Sequence, residues 1–311
     1  MGLFALGEIL GETGRCGLLR PGLSRIPDVG NGAAPKLGRM TWQPATLEEY
    51  LRRWRLEPAG AALSTPSSHL QPVRWHGERA MLKVARIEEE ANGCRLLAWW
   101  DGSGAARAYE LDDHAAVLEW GGDSLVGVSL SDDERATRVL CDVAATVHGA
   151  SAGRFATRPP GLVPLDIWFR SLFDRAAATG FYGRAAATAR RLLADGTDEV
   201  VLHGDLHHGN VLDFGERGWL AIDPKYLVGH RVFDYTNILC NPDLALAERK
   251  FDRRVTLISE WAGIDPVALL DWTVAWTGLS ASWFAADNDT DEEQRALRIG
   301  ALAEAGLAAR P

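Results

Sequence analysis

No stretch of this chain is apolar over the roughly 20 residues that a membrane-spanning helix needs, and no basic segment followed by an apolar core opens it. Neither a bilayer span nor a secretory signal is therefore expected. Met1-Gly2 begins like a myristoylation signal, but Leu6 stands where Ser or Thr is required. Cysteine is scarce. Cys16, Cys94, Cys141 and Cys240 are scattered without a CxxC pair, which argues against a disulfide framework and for a reduced, cytoplasmic protein. Basic charge is also in deficit, with 33 Lys and Arg against 42 Asp and Glu and a net charge of −9. No basic face for nucleic acid is expected, no obligate protein partner is indicated, and the acidic balance is compatible with a cationic small molecule. HExxH and third-ligand spacings are missing, which disfavours zinc for the histidines. A GxGxxG loop is missing too.

What is present is an ordinary globular composition, 47% hydrophobic and 24% charged over 311 residues, enough for one large or two modest domains. Residues 1–39 hold nine glycines and no sustained hydrophobic period. They are expected to be a disordered extension; an upstream start codon and a regulatory tail are the alternatives. Residues 40–120 read as a β-rich lobe. A hairpin is expected from Val73–Trp75 and Ala80–Ala85 around the turn His76-Gly77-Glu78-Arg79. A helix should follow from Glu88 to Trp100, stopped by Asp101-Gly102, then strands at Ala106–Leu111 and Ala115–Trp120. Gly121-Gly122 breaks the chain, and residues 121–311 read as mainly helical. Ser131-Asp132-Asp133-Glu134 fits a capping box ahead of an apolar stripe at Ala136, Val139, Leu140, Val143, Ala144 and Val147. Further helices are expected at 165–178, 182–195, 244–262 and 266–285. Between them, Val200 to Pro242 carries short apolar runs bounded by Gly or Asp, where catalytic loops reside.

The chemistry concentrates in His203-Gly204-Asp205-Leu206-His207-His208-Gly209-Asn210. Phosphoryl transfer needs a carboxylate to orient the attacking hydroxyl and accept its proton. It also needs a side-chain oxygen for the magnesium that neutralises the phosphates. An Asp followed five places later by Asn supplies both, with Asp205 as base and Asn210 as metal ligand. Ile222-Asp223-Pro224 ends a short apolar run thirteen positions after Asn210, and Asp223 can reach the same metal from the other side. Lys83, inside an apolar strand, can hold α- and β-phosphates if a helix glutamate steadies it; of Glu88, Glu89 and Glu90, the spacing selects Glu90. Each piece alone has a plainer reading: an exposed strand lysine, or charge complementing a helix dipole. Together and in this order they point to a kinase. His203 reads as a structural tie for the loop. The polar turn Ser64–His69, with Ser67 and Ser68, could hold phosphate oxygens or be only a turn.

The segments HGDLHHGNVLDFGERGWLAIDP, AMLKVARIEEE, WWDGSGAARAY and AWTGLSASWF resemble the aminoglycoside/hydroxyurea antibiotic-resistance kinases, and within them the streptomycin 6-kinases, over about residues 50–305. The resemblance implies an α+β, bilobal protein-kinase-like fold that uses ATP with Mg2+ to phosphorylate a hydroxyl of an aminoglycoside, the 6-hydroxyl of streptomycin. It also implies Asp205 as base, Asn210 and Asp223 as metal ligands, Lys83 with Glu90 on the phosphates, and Glu119, Trp120 and Gly121 as the hinge that receives adenine. The chain departs from the family pattern at Gly209, where an acidic residue is usual. It departs again at Tyr226 and His230, which stand for a glycine and a glutamate. On the acceptor side the candidates are Trp283, His230 and the acidic run that contains Asp287 and Glu292, a run that is ordinarily a solvated surface loop. Another small hydroxylated metabolite is the alternative acceptor, and a silent binding protein of this fold is the alternative class.

Overall fold

The computed structural model describes residues 45–175 and 180–310; the extension expected at 1–39 lies outside them. Strands β1 (Glu57–Pro58), β2 (Leu63–Ser64), β3 (Ser68–Trp75), β4 (Glu78–Ala85), β5 (Ala108–Leu111) and β6 (Ala115–Glu119) form one antiparallel sheet. Its order is β1-β3-β4-β6-β5, with β2 also on β3. The β3–β4 turn is tighter than the expected four residues. His76 and Gly77 both take positive φ, 48° and 87°, as a two-residue turn of mirror-image type requires, and Glu78 already pairs with Trp75.

Alternation along β4 decides which face each side chain serves. Ala80, Leu82 and Val84 join Tyr50, Leu56, Val73, Ala115 and Val117 in an outer cluster under the Leu47–Arg53 helix. Met81 faces the other way, into the main core with Cys94, Leu97 and Leu118. Lys83 is in phase with Met81 and so points inward as well. The Glu88–Trp100 helix covers that face. It ends where Asp101 and Gly102 turn left-handed, with φ of 48° and 78°.

Beyond Gly121-Gly122 helices dominate. A short Val126–Ser131 helix, unforeseen in the sequence, uses up Ser131, so the next helix (Asp133–Arg154) is capped one residue later, with Asp132 accepting from the Arg135 amide at 3.0 Å. Its apolar stripe is buried except for the half-buried Val139. The helix expected from 165 onward breaks at Phe169 into Leu165–Trp168 and Arg170–Arg175. Gly180–Leu193, Leu244–Ala262, Pro266–Ala286 and Thr290–Ala308 complete the large helices. Pro266–Ala286 is apolar on every side and forms the axis of this part, as an all-round hydrophobic helix must. Arg254, fully buried, meets Asp133 at 2.5 Å and donates to the Ile238 carbonyl, locking two long helices together. Strands β7 (Val163–Pro164), β8 (Glu199–Leu202) and β11 (Leu227–His230) make a small sheet in the order β7-β11-β8, and β9 (Val211–Asp213) pairs with β10 (Trp219–Ala221). These two small sheets carry the loops of interest.

Candidate active site

The loop from His203 to Asn210 leaves β8 and enters β9, and its conformation is fixed from three sides. His203 accepts the Asp205 amide on Nδ1 at 3.2 Å, so its other nitrogen carries the proton to the Ile222 carbonyl at 2.9 Å. That bond ties the loop to the strand end bearing Asp223. Gly204 has φ of +80°, and a Cβ there would lie 2.8 Å from Leu227 Cδ1, so only glycine fits. Asp234, 1% exposed, accepts the His203 amide at 2.9 Å and the Gly204 amide at 2.7 Å, while His148 meets it at 2.7 Å. Burial would push the Asp234 carboxyl up, but the bond to His148, the charge of His148 and His203 and the Gly204 amide together outweigh it and hold it below the usual range.

Asp205 is steadied in turn. Asn237 donates to its Oδ1 at 2.8 Å, and the Asn210 amide group donates to its carbonyl at 2.9 Å and to Oδ2 at 3.4 Å. Burial pushes the Asp205 carboxyl up, with Lys225 and His203 opposing. A buried, oriented carboxylate with raised basicity suits a general base.

A cleft open to solvent, spanning about 910 Å³ with its mouth included, lies between the sheet, the Glu88–Trp100 helix and β9–β10, lined by Lys83, Glu90, Ser67, Ser68, Glu119, Gly121, Asn210 and Asp223 among others. Lys83 pairs with both Glu90 and Asp223. Burial alone would depress its ammonium; the two carboxylates overcome this and hold its pKa well above the ordinary value. Asp223 takes φ of +59°, a left-handed conformation that Asp tolerates and that marks a constrained position. Ser68 donates to Glu90 at 3.2 Å, so its hydroxyl steadies the glutamate, while Ser67 lines the rim. The Glu119 carboxylate is turned onto Arg217 and the Arg107 amide. The Trp120 ring lies outside the lining, beneath the Arg79 guanidinium at 3.6 Å.

Asn210 and Asp223 both face this cleft. Because the Asn210 amide nitrogen is turned onto Asp205, its Oδ1 is the end left for a cation. Among the described residues no three His, Cys, Asp or Glu side chains gather into a metal cage. Two side-chain oxygens are what magnesium uses when phosphates and water supply the rest, so the donor set fits that ion.

A second cavity, about 390 Å³, adjoins Asp205 through Asn237, which lines it. Cys240, Asn241, Trp276, Thr277, Ser280, Phe284, Glu292 and Arg295 are among the other walls. Of the acceptor-side candidates, only Glu292 lies here, 3.6 Å from Arg295. Asp287 is exposed at the end of its helix. Trp283 supports the wall from behind, edge-on to Trp276 with centroids 5.7 Å apart. His230 is not among the walls of either cavity. On β11 it pairs with Glu199, whereas the catalytic loop departs from the Leu202 end, roughly 10 Å away at 3.3 Å per residue. Its ring stacks on Trp272 at 5.3 Å. The other departures also have structural causes. A Cβ on Gly209 would come within 2.9 Å of His207 Cε1, and Tyr226 anchors to the Pro160 carbonyl at 3.1 Å.

Two contributors escaped sequence reasoning: Asp234 and Asn237. A signal existed for the first, because an Asp inside the apolar run Val232–Leu239 has to be buried and therefore partnered.

The model of the aminoglycoside/hydroxyurea antibiotic resistance kinase family matches residues 53–288. A streptomycin 3''-kinase of Klebsiella pneumoniae is 46% identical over 82% of this chain and 98% of its own length. A streptomycin 6-kinase of Streptomyces glaucescens is 32% identical over 82% of this chain and 87% of its own length. Among solved structures, a choline/ethanolamine kinase family protein from Mesorhizobium loti shares the fold with TM-score 0.57 at 15% identity, covering 82% of this chain and 88% of its own. An aminoglycoside phosphotransferase solved with AMP-PNP and hygromycin B does so with TM-score 0.56 at 16% identity, covering 84% and 99%.

Proposed function

The chain belongs to the aminoglycoside/hydroxyurea antibiotic-resistance kinases, and from that premise we propose that it transfers the γ-phosphoryl group of ATP to a hydroxyl of streptomycin. The observation that carries this reading is the position of Asp205, bonded both to Asn210, which lines the larger cleft, and to Asn237, which lines the smaller cavity. An acceptor hydroxyl in the smaller cavity would present its proton to Asp205. Lys83, steadied by Glu90, would hold nucleotide phosphates, and Asn210 with Asp223 would hold magnesium, which supplies charge neutralisation on the phosphates when bound.

The acceptor position is the finer question. The relative named as a 3''-kinase is 46% identical and those named as 6-kinases are 32% and 30% identical, which favours the 3''-hydroxyl over the 6-hydroxyl that the motifs first suggested. The 6-hydroxyl stays as the second reading because two 6-kinases match over 82% and 86% of the chain. Purified protein incubated with ATP, magnesium and streptomycin, followed by NMR of the product, tests both. Phosphate on the N-methylglucosamine ring supports the first reading and phosphate on the streptidine ring the second. No turnover with streptomycin beside turnover with another small alcohol removes both.

A further inference from the structure

The site as described uses Lys83 and leaves a second buried lysine without a task. Lys225 is 9% exposed, and its Nζ lies 3.1 Å from Glu89 Oε1. Its backbone amide donates to the His203 carbonyl at 2.7 Å. Its Cβ flanks the catalytic loop, 2.9 Å from where a Cβ on Gly204 would stand. Gly93 lets the Glu88–Trp100 helix come close enough for this, because a Cβ there would lie 2.5 Å from the Pro224 carbonyl oxygen. Two successive glutamates of one helix thus hold two lysines from different parts of the chain, Glu90 with Lys83 and Glu89 with Lys225.

Lys225 follows Asp223 by two positions, and its main chain and Cβ lie against His203 and Gly204, the two residues that lead into Asp205. A phosphoryl group passing from the cleft toward a hydroxyl held by Asp205 gathers charge on its equatorial oxygens, and a fixed cation beside that path lowers the barrier. Lys83 is bound on the sheet side, to Glu90 and Asp223. Lys225 is bound instead to Glu89, with its main chain on the loop that carries Asp205.

We infer that Lys225 is a catalytic cation of this kinase, contacting the transferring γ-phosphoryl group, and that Glu89 is the residue that positions it. It contributes charge only; no proton leaves it, and the hydroxyl proton still goes to Asp205. The inference rests on the phosphotransfer reading above. A competing role, a mere tie between sheet and helical parts, would need the same ion pair but no contact with phosphate.

Binding of ADP and of AMP-PNP, each with magnesium, separates the two roles, together with steady-state transfer. Lys225→Met keeps the aliphatic stem and removes the charge. It should weaken AMP-PNP about tenfold while ADP binding stays within about twofold, and kcat should fall about 10²-fold, the usual loss for one preorganised transition-state contact. Lys225→Arg should recover part of kcat. Glu89→Gln, which leaves the lysine in place, should lower kcat about fivefold to tenfold with ADP binding unchanged. If Lys225→Met does not fold, Glu89→Gln and Lys225→Arg carry the test. A lowered melting temperature with wild-type kcat and a wild-type AMP-PNP to ADP preference in these variants would show a structural tie and overturn the inference alone. A wild-type protein that binds neither nucleotide would overturn the kinase reading and the inference with it.

Discussion

The cleft proposed for the nucleotide and the cavity proposed for the acceptor flank Asp205 through Asn210 and Asn237, and they differ in where their charges find partners. The cleft is walled largely by apolar side chains, Leu70, Met81, Leu97, Leu118 and Ile222 among them, and its few charges pair across long stretches of chain: Lys83 reaches Asp223, 140 positions away. The acceptor cavity is made mostly of neutral side chains, Asn237, Trp276, Thr277 and Ser280 among them, drawn from helices in the last third of the chain. Its charges, Glu292 and Arg295, partly cancel at 3.6 Å. Phosphoryl transfer always presents the same charge to be neutralised, so the residue types are set by the reaction. An acceptor is recognised by shape and a few hydrogen bonds, which many residue combinations can supply.

The largest expected effect lies at the junction. Asp205→Asn should leave both cavities intact and ADP binding unchanged but lower kcat roughly 10²–10⁴-fold, the usual worth of a positioned base. Near-wild-type turnover would show that the two regions do not meet at this carboxylate. Next is the support beneath it. Asp234→Ala strips the acceptor from the His203 and Gly204 amides and orphans His148, so a loss of about 3 kcal/mol is expected from urea unfolding. An unchanged unfolding midpoint would mean the loop is held without it.

The same contrast explains what could be read in advance. Lys83, Glu90, Asp205, Asn210 and Asp223 could be singled out together because phosphoryl transfer calls for those residue types in that order, and the structure lines one cleft with four of them and bonds Asp205 to one of these, Asn210. The Glu88–Trp100 and Leu244–Ala262 helices were legible from period and stop residues. Val126–Ser131 was not, being too short to show a period. Asn237 was not, because nothing local says that an amide in an apolar run faces a carboxylate 32 residues earlier. His230 was a candidate because it stands where the family pattern has a glutamate, and no local signal shows that β11 carries it to the Glu199 end of the small sheet.

A smaller effect sharpens the acceptor side. Glu292 walls the cavity and Asp287 does not. A charge-assisted hydrogen bond to a guanidinium is worth about 1.5–3 kcal/mol, so Glu292→Ala should raise the streptomycin KM about tenfold or more. Asp287→Ala should leave it unchanged, as should either variant for the ATP KM. Equal effects from both residues would mean that the whole acidic run attracts the substrate from solution and that the cavity does not select it.

The smallest expected effect tests how rigidly packing holds the catalytic loop from the helical side. His208 is completely buried, and neither ring nitrogen has a hydrogen-bond partner. Burial, with Arg254 nearby, pushes its pKa far down, and burial takes His207 down to about 4. Both rings stay neutral in the folded protein at pH values where the unfolded chain, with histidine pKa near 6.5, takes up protons. The unfolded state therefore binds more protons below about pH 6.5, and stability falls as pH drops through that window, by about 1.4 kcal/mol per pH unit for each such histidine. His208→Leu removes one of these uptakes without breaking a hydrogen bond. Urea unfolding at pH 8, 6 and 5 should give a small stability change at pH 8 and an acid slope flatter by about 1.4 kcal/mol per unit than wild type. An unchanged slope would mean that His208 is protonated in the folded state, and that the helical part yields around the loop that the nucleotide side holds fast.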